Sequence, residues 1–96
     1  MKTIRQTEAF ARWLVALRDR QARVRIQLRI DRAELGNYGD WKAVGAGVCE
    51  MRIDYGPGYR VYFVERGDTV TILLAGGTKK GQAKDIELAK RLAQQV

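Results

Sequence analysis

The chain has 96 residues, enough for one domain spanning 1–96, and carries 18 Lys and Arg against 11 Asp and Glu, a formal net charge of +7. A hydrophobic fraction of 46% with a single proline argues for a folded core, and the basic surplus favours a polyanionic partner, nucleic acid or an acidic protein. With no histidine and Cys49 as the one cysteine, an intrachain disulfide, a His/Cys zinc site and a Cys-His nucleophile are all excluded within a single chain.

No basic-apolar-small pattern opens the chain and no apolar run is long enough to span a bilayer, so the expectation is a cytoplasmic protein with no membrane partner. Residues Lys2 to Gln6 read as a short first strand. Thr7 is placed to cap a helix, with Glu8 in its first turn and Phe10, Trp13, Leu14 and Leu17 on one stripe. Asp19 closes that helix and caps a second.

The stretch from Ala22 to Ile30 alternates apolar and polar residues as a strand would. Ala22, Ile26, Ile30 and Ala33 also form a helical stripe, no turn residue interrupts 20–35, and Gly36-Asn37 supplies a stop. The reading is a helix, with Val24 and Leu28 less buried than the stripe. Its arginines, Arg20, Arg23, Arg25, Arg29 and Arg32, form either a solvated face, a phosphate-tracking surface or a dock for an acidic partner.

Beyond the Gly36–Asp40 loop the pattern turns to short strands, at 41–44, 48–54, 59–65 and 69–75, joined by glycine-containing turns of hairpin length. A helix over 82–95 closes the chain. The expected fold class is α+β: two N-terminal helices packed on a four- to five-stranded antiparallel sheet, with a C-terminal helix.

Side chains alternate across a strand, so parity separates the faces. Cys49, Met51, Ile53, Val61 and Phe63 form an inward apolar set, which puts Arg52, Arg60 and Tyr62 together on the outward face. One register sets Arg52 opposite Arg60, a like-charge pairing that an anion would relieve. The alternative is a solvated network in which Glu50 and Asp54, on the same face, pair with the two arginines. Gly76-Gly77 reads as a turn that feeds Lys79 and Lys80 into the final helix, where backbone amides suit an oxyanion. No P-loop spacing accompanies it. Cys49 reads as a small buried hydrophobe and Trp13 as core, while Trp41 and Tyr38 read as loop anchors with base stacking as the alternative.

Several of these segments resemble the RelE/ParE toxin superfamily, in particular its HigB-like branch. They are Phe10-x-x-Trp13-Leu14, Gly36-Asn37-x-Gly39-Asp40-x-Lys42, Gly45-x-Gly47-Val48-x-Glu50-x-Arg52-Ile53, Gly56-Pro57-Gly58-Tyr59-Arg60-Val61-Tyr62-Phe63, and Leu73-Leu74-x-Gly76-Gly77-x-Lys79-x-x-Gln82-x-x-Asp85-Ile86. The resemblance implies a RelE-like fold and the toxin of a type II toxin–antitoxin pair, an endoribonuclease that cuts mRNA on the ribosome. It also implies a cognate antitoxin, of helix-turn-helix or acidic type, in a hetero-oligomer. Arg60 matches the family's Tyr-Arg strand motif, Arg52 falls near a strand lysine, and Lys79 or Lys80 matches its Gly-Lys-Arg segment. Glu50 stands where RelE-like members can carry lysine, and neither a C-terminal tyrosine nor the histidines of HigB nucleases are present.

The expected chemistry needs no metal or other cofactor, since the 2′-OH of RNA attacks the adjacent phosphate. Arg52 and Arg60 are expected to stabilise the transition state, Lys79 or Lys80 to serve the leaving oxygen, and Tyr62 or a lysine to take the proton. Lys42, Arg23 and Arg29 are the expected RNA contacts. The rival expectations are a ParE-like, non-enzymatic inhibitor of DNA gyrase and an inactive toxin that serves in an antitoxin-repressor complex.

Overall fold

A computed structural model describes residues 1–96. The elements are β1 (Thr3–Gln6), α1 (Glu8–Ala16), α2 (Arg20–Glu34), β2 (Trp41–Gly45), β3 (Val48–Ile53), β4 (Tyr59–Arg66), β5 (Val70–Thr78) and α3 (Gln82–Ala93), with a single 3-10 turn, Lys79–Gly81, between the last two. Both expected caps form. Thr7 Oγ1 accepts the Phe10 amide at 3.1 Å, and Asp19 Oδ1 accepts those of Gln21 at 3.0 Å and Ala22 at 3.2 Å.

The sheet order is β1-β5-β4-β3-β2, and β2 to β5 form an antiparallel meander. β1 departs from the all-antiparallel expectation. It joins the edge parallel to β5, Thr3 beside Val70 and Gln6 beside Leu73, which the long crossover through both helices and three strands permits. The fold is therefore α+β, helices on a mainly antiparallel sheet.

Helices cover both faces. The stripe Ala22, Ile26, Ile30 and Ala33 of α2 packs with Phe10 of α1 on Met51, Ile53, Val61, Phe63 and Leu73. Val24 and Leu28 stay 53% and 49% exposed, as the helical reading of 20–35 requires. On the other face Ala89 and Ala93 of α3 pack against Val48, Tyr62, Val64 and Leu74. A bulge at Tyr62/Phe63, where the β5 partners jump from Ala75 to Leu73, turns both Leu74 and Ala75 toward α3. The outward parity set is thus only partly solvated: Tyr62 is fully buried.

Gly76 and Gly77 lie inside β5 rather than in a turn. A Cβ on Gly76 would stand 2.2 Å from the Trp13 ring, and one on Gly77 would stand 1.9 Å from Asp85 Oδ2. The two glycines admit one helix on each face of the same strand, so the phosphate cradle expected there is a packing device.

Candidate functional site

Arg52 and Arg60 are direct partners across the β3–β4 ladder, as are Glu50 and Tyr62. Both arginines line one open cleft of about 490 Å³ together with Asp40, Asp54, Lys79 and the 56–58 turn, with no apolar side chain in its wall except Pro57. The turn brings the third cation in. Gly58 sits at φ +81°, its carbonyl accepts the Lys79 amide at 2.8 Å, and a Cβ on it would lie 3.4 Å from Lys79 Cβ and 3.5 Å from Arg60 Nη1. Only a glycine holds that backbone without strain while two cationic side chains close over it.

Each arginine has a carboxylate neighbour. Asp40 brackets Arg52, accepting its Nη2 at 2.9 Å through the side chain and its backbone amide at 2.9 Å through the carbonyl. This pair is 39% and 59% exposed, so an anion can compete for the guanidinium. Arg60 differs. Its side chain is 11% exposed above a Glu50 that is fully buried, with Arg60 Nε and Glu50 Oε1 3.6 Å apart. That contact is electrostatic, since neither atom has a hydrogen-bond partner. Glu50 Oε2 accepts from Gln82 Nε2 of α3, and Arg60 Nη1 donates to Tyr59 O at 3.1 Å. Asp54 and Lys79 enter the cleft without ion pairs.

Residues 12–94, which include every cleft residue, match the family described as phage derived protein Gp49-like (DUF891). The chain belongs to the Gp49-like family. A Haemophilus influenzae (strain Rd) relative, described as an uncharacterized protein, is 46% identical over 93 residues, covering 97% of this chain and 94% of its own.

The Gp49-like chain separates the remaining expected site residues. Tyr62 is unsuited to proton transfer: its hydroxyl is buried beneath α3, and burial first, then the Glu50 and Asp85 charges, push its pKa far above the ordinary value. Its role as a base is corrected on that ground. Lys80 is exposed beside Lys79 but outside the cleft wall. Lys42 opposes Glu50 on the edge strand, sharing the arginines' face at some remove from the cleft.

Arg29 and Arg23 belong to the other layer of the fold. Arg29 donates to the carbonyls of Arg52, of Tyr38 at 2.9 Å and of Asp40 at 3.1 Å. Burial lowers its pKa, with Asp40 opposing the shift. It is a brace under the cleft backbone, not a contact in it. Arg23 lines a groove between α1 and α2.

Sequence reasoning missed Asp40 as the partner of Arg52 and Arg29 as the brace, and the alternative that paired Glu50 and Asp54 with the arginines on a solvated face holds for Glu50 beside Arg60 but missed its burial. Parity marked Glu50 as outward, and only the placement of α3 over that face reveals its burial. For Arg29 a signal existed: it lies one residue before Ile30 of the buried stripe, where a long side chain reaches past the core.

Proposed function

We propose that the protein is a RelE-like toxin of a toxin–antitoxin pair, an endoribonuclease acting on mRNA at the ribosome. The observation that carries this reading is the convergence of Arg52, Arg60 and Lys79 on one open, polar cleft. The layering of helices on an antiparallel meander supports the finer fold assignment.

In the proposed reaction the substrate 2′-oxygen forms a bond to the adjacent phosphorus as the bond to the 5′-oxygen breaks. Asp54, the cleft carboxylate without a cationic partner, takes the 2′ proton. Lys79 gives a proton to the departing 5′-oxygen, leaving a 2′,3′-cyclic phosphate and a 5′-hydroxyl. Arg60 and Arg52 hold the charge that builds on the non-bridging oxygens, the geometry at which forked donors act best. Losing such a donor costs about 2.7–4 kcal/mol of barrier. Arg60 is positioned by the buried Glu50 beneath it; Arg52 exchanges Asp40 for phosphate.

Primer extension on cellular mRNA after induction tests the reading. Discrete cleavage sites and arrested growth are expected, both lost in a folded Arg60→Ala variant. Intact messages, or an Arg60→Ala variant as toxic as the native chain, would overturn it.

One observation favours a second reading. Because Asp40 and Glu50 already stand beside both arginines, the cleft is less cationic than the composition suggests. That balance fits a ParE-like inhibitor that binds DNA gyrase without chemistry. Gyrase-dependent DNA damage with uncut mRNA would identify it.

A further inference from the structure

On the face of the sheet opposite the cleft, α1 and α2 leave a groove of about 480 Å³ walled by Leu14, Val15, Arg20, Arg23, Val24 and Gln27. In it Val15 and Val24 expose 77% and 53% of their surface, and Leu28, one turn further along α2, exposes 49%. Folding does not require them: Ala22, Ile26 and Ile30 supply the sheet-facing stripe of α2, and Val24 and Leu28 lie on its back. Single exposed apolar residues call for no explanation, but a contiguous strip spanning two helices does.

The rim is cationic and largely unneutralised. Asp19 is engaged by the helix-capping amides and the Tyr55 hydroxyl, and Asp31 accepts from Gln27. No carboxylate enters the groove wall, and Arg20 and Arg23 make no ion pair.

We propose that this groove receives an amphipathic helix from a partner protein, apolar along one face and acidic along its flanks. The apolar floor takes the partner's i, i+3/i+4, i+7 side chains, and the arginine rim takes its carboxylates. RNA fits the floor poorly, because Leu14, Val15 and Val24 offer neither a stacking ring nor a donor. A second copy of this chain would bring Arg20 and Arg23 against their own equivalents in a two-fold contact. A helix seated here leaves the cleft on the opposite face open, so the inference stands or falls independently of the nuclease reading.

Two synthetic helices with the same leucine stripe, one flanked by glutamates and one by lysines, test it by fluorescence anisotropy with the full chain. The glutamate helix is expected to bind and the lysine helix to fail. Val24→Asp and Arg23→Glu are each expected to weaken binding by about tenfold or more. Both positions are partly or largely solvent-facing, and circular dichroism would verify that the variants fold. The proposal is overturned by any of five results. The glutamate helix fails to bind; both helices bind alike; the two variants bind as tightly as the native chain; or sedimentation shows a dimer that Val24→Asp dissolves, or a single-stranded RNA that Val24→Asp releases.

Discussion

Arg60 lies diagonally across the β3–β4 ladder from Glu50, one side chain 11% exposed and the other fully buried, their Nε and Oε1 atoms 3.6 Å apart. Removing one member of such a pair strands the other's charge in a poorly solvated place. Glu50→Ala is therefore expected to cost about 3–5 kcal/mol of stability. Glu50→Gln, which keeps the size and the partner for Gln82, should cost less. Urea unfolding of both variants gives the comparison, and equal, small losses would mean that the pair is not structurally important.

Gly76 and Gly77 face opposite layers, and their substitutions should behave differently. Alanine at Gly77 meets Asp85, a short side chain that can rotate away, and about 1–3 kcal/mol is expected. Alanine at Gly76 meets the face of a Trp13 ring that cannot yield without displacing α1, so the loss should be larger. A double-mutant cycle supplies the check: Asp85→Ala should restore much of the stability lost in Gly77→Ala and none of that lost in Gly76→Ala.

Arg29→Ala leaves the carbonyls of Tyr38, Asp40 and Arg52 without their shared donor. About 2–3 kcal/mol is expected to be lost, and Arg29→Lys should recover little, because a point charge cannot span three acceptors as a planar fork does. Arg23→Ala, on the exposed groove rim, should stay within about 0.5 kcal/mol of native. Thermal melts of the three variants decide this.

Glu65 accepts Lys2 Nζ at 2.6 Å and the Tyr38 hydroxyl at 2.9 Å. The Lys2 hydrogen bond holds the carboxylate pKa below its ordinary 4.5. Its contribution is present above that ordinary value and is lost as pH falls through the lower folded value. Lys2, raised above 10.5 by the same contact, contributes below that value and loses its contribution as pH rises through the folded one. The melting temperature should therefore fall on acidification, and Glu65→Gln should flatten the acid limb measured between about pH 3 and pH 7.

The arrangement of strands and helices was legible because local signals agreed. Thr7 and Asp19 had the capping chemistry, and the stripe from Ala22 to Ala33 outweighed the competing alternation. Matching apolar parity across the hairpin put Arg52 and Arg60 on one face and left their direct opposition as one candidate register, the one the structure adopts. What failed to show was anything set by a layer arriving from far along the chain. Parity distinguishes two faces but not which of them is dry, and α3 buries part of the second, taking Tyr62 and Glu50 with it. Gly76-Gly77 looked like a turn because glycine in sequence signals freedom; here it signals crowding. The sequence left Lys79 and Lys80 as alternatives; both lie in the 3-10 turn, and of the two Lys79 lines the cleft.

The pairing of Thr3 with Val70 also has a temporal side. A chain emerging from the ribosome makes both N-terminal helices early, yet Thr7 has no carbonyl of Leu74 to donate to, and Trp13 no glycine to rest on, until β5 has been synthesised. Closure over so long a sequence separation is entropically slow. Lys79 arrives later still, so Arg52, Arg60 and Lys79 can share one cleft only after β5 and the turn beyond it have left the ribosome, and a product truncated before that turn holds two of the three cations at most.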